Sequence, residues 1–146
     1  MLDTITRKIP LGELPVHAAV AHLNAFDRGL PRPWRVVLKN LPLGISLVFD
    51  LKDMVVIGRD GADTVGFPVI DLNPYDALRY GVSRRHAVLK LEENRVFVID
   101  NGSKNGVTLN DELLNPGSAY LVRHGDTIYL GQMRFQINFL VNPFSR

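Results

Sequence analysis

The sequence predicts an all-β chain: a two-sheet antiparallel β-sandwich of about ten or eleven short strands, preceded by a short N-terminal helix. Three observations carry this. From Trp34 onward the apolar residues recur at a period of two. Turn dipeptides and tripeptides such as Lys52-Asp53, Asn105-Gly106 and Asn115-Pro116-Gly117 punctuate the chain every few residues. No helical crossover separates the strands, which excludes a parallel βαβ arrangement.

The elements follow in order. Residues 1–12 read as an irregular arm, and 14–28 as a helix with Val16, Val20, Leu23 and Phe26 at helical spacing. Pro15 suits its first turn and Gly29 its end, and Pro31 and Pro33 then stop regular structure. His17 and His22 are too isolated to suggest a metal site. The domain is expected over 34–140, after an arm and helix in 1–33 and before a tail in 141–146.

Within it, Val36 and Leu38 share a face of the first strand, 41–44 turns, and 45–49 and 54–58 are further strands. Residues 60–82 form one long connection. Such a length predicts local structure within it, a short strand at 69–71 and a helical turn near 74–78. Ala87, Leu89 and Leu91 then alternate with Val88 and Lys90. After a turn at 92–94, Phe97 and Ile99 oppose Val96 and Val98. Strands at 107–109 and 127–130 lead to the clearest half-buried one, where Phe135, Ile137 and Phe139 alternate with Arg134, Gln136 and Asn138.

Composition narrows the chemistry. With 146 residues and 46% hydrophobic content, the chain suits one domain with one core. A formal charge of +2, from 17 basic and 15 acidic residues, is too small to point to nucleic acid, so no specific nucleic-acid partner is expected. The absence of cysteine excludes disulfides, thiol catalysis and cysteine-ligated zinc. No apolar run reaches the about 18 residues of a spanning helix, and the start MLDTITRKIP lacks a signal peptide's apolar region, so a cytoplasmic chain without membrane association is expected. The aspartates at 60, 63, 71 and 76 lack the spacing of a calcium loop, and no cofactor or metal is expected.

Three polar blocks sit at strand ends, where a rigid sheet holds loops in place. They are Gly58-Arg59-Asp60, Ser83-Arg84-Arg85-His86 and the run 101–110. Arginine offers a planar fork of donors that keeps its charge, serine a neutral donor, and glycine-rich turns exposed backbone N–H groups. Arg59, Ser83 and the 101–106 loop supply the donors a phosphate dianion needs, and Arg84, Arg85 and Lys104 raise the local positive potential. A catalytic grouping of Ser83, His86 and Asp100 lacks any nucleophile-elbow context, and an enzyme is not expected.

In order and spacing the blocks resemble the signature of forkhead-associated (FHA) domains, modules that bind phosphothreonine peptides. The pattern stands here as Gly58-Arg59, Ser83-Arg84-Arg85-His86, Asp100, Ser103, Asn105-Gly106, Asn110, Gly125-Asp126 and Gly131, within residues 34–140. The resemblance implies phosphate contacts from Arg59, Ser83 and Arg84, with Ser103 and Lys104 in the loop beside the phosphate. It implies that Asn105 bonds the bound peptide's backbone. His86 would brace the loop carrying Ser83, Gly58 and Gly106 would serve the backbone, and Asn110 would hold a loop. A small cavity beside the phosphate, taking the threonine methyl, is implied as well.

The implied partner is a phosphothreonine-containing protein, the substrate of a Ser/Thr kinase. A phosphate-independent interaction scaffold is the alternative. A monomer is expected, with self-association through the N-terminal helix as the other possibility. The sequence departs from the family in the 23-residue connection between Arg59 and Ser83, and in Val107 where threonine is common. The connection's acidic residues are expected to pair with Arg79, Arg84 or Arg85, or to bond backbone N–H groups. Gly125-Asp126 and Gly131 lie far along the chain from the phosphate blocks and are expected to serve folding.

Overall fold

A computed structural model of the chain describes residues 8–10, 34–60 and 67–140. Twelve strands are formed among them: β1 (Lys8–Pro10), β2 (Trp34–Asn40), β3 (Ile45–Leu51), β4 (Met54–Gly58), β5 (Val69–Asp71), β6 (Ala87–Glu92), β7 (Arg95–Asp100), β8 (Val107–Leu109), β9 (Glu112–Leu113), β10 (Ser118–Val122), β11 (Thr127–Leu130) and β12 (Met133–Leu140). They make two six-stranded sheets, ordered β1-β10-β7-β6-β4-β5 and β3-β2-β12-β11-β8-β9. The expected sandwich is therefore present. The expected helix at 14–28 lies outside the described residues.

The period-two reading places the core. Val55, Ile57, Ala87, Leu89, Val96 and Val98 from the first sheet meet Val36, Leu38, Ile128, Leu130, Phe135 and Ile137 from the second. Phe135 and Ile137 are fully buried while Arg134 and Gln136, which alternate with them, are exposed. Burial of each such side chain stabilises the fold by about 1.5–3 kcal/mol. Phe97 and Ile99 point the other way and form a second apolar cluster with Ala119.

Two features differ from expectation. Lys8–Pro10, read as irregular, pairs with Ser118–Tyr120 of β10 as an edge strand. A three-residue strand has too little sequence to show alternation, and its conformation comes from the ladder it joins. All pairings but one are antiparallel; β5 runs parallel to β4, with Gly58 opposite Asp71. The long connection after β4 lets the chain return in the same direction. After β5 the helical turn expected at 74–78 appears as a single 3-10 turn, Asn73–Tyr75, with Pro74 in its first positions.

The register fixes which loops meet. Ile57 pairs with Ala87 and Ala87 with Asp100, so the end of β4, the start of β6 and the end of β7 lie together. The segment 101–106 carries the chain from the first sheet to the second. Val107 pairs with Leu130, and Leu130 with Met133, which brings the turn at 131–132 to the same end.

Candidate functional site

Backbone hydrogen bonds join the first two blocks. The Arg59 and Asp60 N–H groups both donate to the Arg84 carbonyl, at 2.8 and 3.0 Å. This approach requires glycine at 58: a Cβ there would stand 2.1 Å from the Arg84 oxygen. The guanidinium of Arg59 then reaches along the loop, its Nε donating to the Val82 carbonyl. Its two terminal nitrogens have no hydrogen-bond partner among the described residues.

His86 joins the second and third blocks. It is fully buried. Its Nδ1 accepts the Ser83 backbone N–H at 2.9 Å, and its Nε2–H donates to the Gly106 carbonyl at 2.7 Å. Those partners define the neutral tautomer. Burial lowers its pKa from 6.5, opposed by the Gly106 hydrogen bond and the nearby Asp100 carboxylate. Both ring nitrogens are thus committed to backbone groups rather than to the Ser83 hydroxyl, and the arrangement does not prepare a nucleophile.

The Ser83 Oγ accepts the Lys104 N–H at 3.0 Å, tying the second block to the third. Its hydroxyl proton is left to donate outward. The third block closes on itself. Ser103 N–H donates to the buried Asp100 carboxylate, and Ser103 Oγ accepts the Gly106 N–H, each at 2.9 Å. Ser103 thus shapes the turn, which leaves its hydroxyl proton to donate elsewhere. Asn105 is exposed, and its side-chain nitrogen donates to the Gly81 carbonyl at 2.9 Å, which leaves Oδ1 and a second N–H facing outward.

Arg84 and Lys104 are exposed, and neither they nor Arg59 pair with a carboxylate among the described residues. The acids of the long connection that lie among the described residues are occupied as expected. Asp60 pairs with Arg85 at 3.0 Å, Asp76 with Arg79 at 3.6 Å, and Asp71 accepts the Asn73 N–H at 3.0 Å. Asp63 lies outside the described residues.

Arg59, Ser83, Arg84, Ser103, Lys104, Asn105, Gly58, His86 and Gly106 therefore gather at one end of the sandwich. Asn110 does not. Leu109 pairs with Ile128, and Asn110 Oδ1 accepts the Thr127 N–H at the far end of β8. It holds a loop, but the one opposite the cluster. Gly131, distant in sequence, is drawn in: its N–H donates to the Gly106 carbonyl, and a Cβ on it would stand 2.7 Å from the Gly81 oxygen.

Sequence reading missed the support from Asn73, whose side-chain nitrogen donates to the Arg59 carbonyl at 2.6 Å. It also missed the carbonyls of Tyr80 and Gly81, which receive Gln132 N–H and Asn105. Asn73 carried a faint signal as the polar residue before Pro74. The carbonyls carried none, since any residue type supplies one.

A family model described as the FHA domain matches residues 55–131. The chain is similar to the glycogen accumulation regulator GarA of Mycobacterium tuberculosis H37Rv, 40% identical over 62 residues, which cover 42% of this chain and 35% of GarA. It is similar to the oxoglutarate dehydrogenase inhibitor of Corynebacterium glutamicum, also 40% identical over 62 residues and covering 40% of that protein. The match thus spans only about a third to two fifths of these relatives' length. Among solved structures, an FHA domain of an Arabidopsis thaliana protein aligns with a TM-score of 0.57 at 25% identity, covering 80% of this chain and 92% of that one. The FhaA FHA domain, solved in complex with an intracellular domain of another protein, aligns with a TM-score of 0.50 at 25% identity, covering 72% and 99%.

Proposed function

The chain belongs to the FHA domain family, and from that premise we propose that it binds partner proteins through a phosphorylated threonine, in kinase-dependent signalling or assembly. Modules of this kind recognise a modified peptide by arginine clusters and bring proteins together; they carry out no reaction. Arg59 and Ser83 are the principal phosphate contacts in this reading, with Arg84 and Lys104 adding positive charge. Ser103 stands beside the phosphate and Asn105 bonds the peptide backbone.

One observation carries the reading. Arg59 and Ser83, anchored through Val82 and Lys104, present unused donors at a single loop cluster whose neighbouring acids are already paired. A phosphothreonine adds close to two negative charges and three acceptor oxygens, which such donors match. The neutral His86 beneath them contributes geometry rather than charge. The FhaA domain's complex with an intracellular protein domain is consistent with a partner of that class. Among the described residues no helix is long and apolar enough to cross a membrane, and the cytoplasm, where kinases act, is the compartment proposed.

The test is fluorescence anisotropy at fixed ionic strength with phosphothreonine, phosphoserine and unphosphorylated peptides. Phosphothreonine should bind best, and Arg59→Ala or Ser83→Ala should each cost about 2–5 kcal/mol of binding energy without unfolding the domain. Equal binding of phosphorylated and unphosphorylated peptides, unchanged in both variants, would leave the phosphate-independent scaffold as the better reading.

A further inference from the structure

The loop end of the sandwich carries a second concavity. Register places it there: Gln136 pairs with Lys39, so the β2–β3 turn at 41–44 stands beside the 131–132 turn. Between them lies a cleft of about 320 Å³, at the small end of the range for ligand clefts. Leu41 and Leu43, either side of Pro42 in one turn, are 84% and 41% exposed. The aromatic Tyr80 and the cationic Lys39 and Arg134 are among the residues that line it. Among the described residues no acidic one lines the cleft, and neither cation pairs with a carboxylate.

The cleft is built rather than incidental. Asn40 is 7% exposed; its Nδ2 donates to the Arg134 carbonyl and its Oδ1 accepts the Leu43 N–H, at 2.8 and 2.9 Å. These bonds hold the leucine-bearing turn against β12. Hydrogen bonds also tie the cleft to the phosphate loops. The Tyr80 carbonyl accepts the Gln132 N–H, and the adjoining Gly81 carbonyl accepts the Asn105 side chain.

We propose that this cleft is a second docking point for the phosphorylated partner, taking an apolar side chain with an acidic residue beside it, outside the peptide residues that meet Arg59, Ser83 and Asn105. The proposal rests on the phosphothreonine reading above. Apolar contact with Leu41, Leu43 and Tyr80 supplies burial, and Lys39 and Arg134 select the acid by complementary charge. The partner is thereby recognised twice, once by its modification and once by its sequence.

The test uses a degenerate peptide library with a fixed central phosphothreonine, then labelled peptides chosen from it. An apolar residue with a neighbouring acid should be enriched on one side, and such a peptide should bind about tenfold tighter than an alanine-flanked phosphothreonine peptide. The double variant Leu41→Ser/Leu43→Ser should abolish that advantage. Lys39→Glu/Arg134→Glu should exchange the acidic preference for a basic one. Both should retain the wild-type thermal midpoint and hold affinity for the alanine-flanked peptide within about twofold. The proposal is overturned by an absence of flanking preference, by a preference that survives both variants, or by equal weakening of the alanine-flanked peptide. If wild-type protein binds phosphorylated and unphosphorylated libraries alike, the phosphothreonine reading falls and takes this one with it. Phosphate dependence without a cleft effect overturns this proposal alone.

Discussion

The carbonyl oxygen of Arg84 occupies the space where a side chain on residue 58 would begin, 2.1 Å from an ideal Cβ. The end of β4 and the loop before β6 therefore touch through backbone alone. Gly58→Ala must push them apart. The substitution should cost about 1–3 kcal/mol by the usual penalty for overpacking, read by urea denaturation. It should also weaken phosphothreonine-peptide binding, because the Arg59 and Ser83 loops separate.

His86 holds the Ser83 N–H and the Gly106 carbonyl at once. His86→Ala strands both inside the protein, and each stranded group costs about 1–3 kcal/mol. Chemical denaturation should show a loss near the sum, and amide exchange at Ser83 should accelerate more than at β12.

The same histidine makes stability depend on pH. Burial lowers its folded pKa below the 6.5 of the free side chain. As pH falls below 6.5, the unfolded chain takes up a proton that the folded protein resists. This contribution is therefore fully present above that pH and is lost progressively as pH falls through the lowered folded value. Melting temperatures measured without peptide across this range should decline toward acid, and His86→Gln should decline less steeply.

Asn105→Asp keeps the side-chain shape but removes the donor to the Gly81 carbonyl and adds a negative charge. Loss of one exposed hydrogen bond should cost about 1 kcal/mol of stability or less. Phosphopeptide binding should fall further than it does for Asn105→Ala, because the carboxylate repels the phosphate. The gap between the two variants should narrow as salt is raised, since added ions screen exposed charges. Titrations at two ionic strengths check this.

Much of the sandwich was legible because strands such as Met133–Leu140 bury mainly one face and so alternate. Val96 and Val98 face one way and Phe97 and Ile99 the other, as their spacing requires. That acids of the long connection would pair with arginines such as Arg79 and Arg85 followed from elementary electrostatics, though which acid meets which did not. What stayed hidden depends on which distant segments become neighbours. Asn110 and Asn105 are close in sequence, yet the three residues of β8 carry them to opposite ends. Gly131 and Gly81 are far apart in sequence, yet register sets them in contact. The pairing of Lys8–Pro10 with β10 and the parallel course of β5 belong to the same class, since neither leaves a periodic trace. Asn40 looks like any polar residue before a turn until its two buried bonds are seen.

Arg84 and Lys104 enter the ties among the three loops through main-chain atoms: the Arg84 carbonyl accepts the Arg59 N–H, and the Lys104 N–H donates to the Ser83 hydroxyl oxygen. Main-chain atoms are common to nearly all amino acids, so the frame tolerates replacement of the exposed side chains it displays. Arg84 and Lys104 can therefore drift or be randomised while the loops keep their places. The ordering entropy of these loops is also settled during folding rather than on capture of a ligand, which favours tight association from a modest contact area. A frame of this kind suits selection of binders from a surface library, and lets duplicated copies diverge toward new marks without first relearning how to fold.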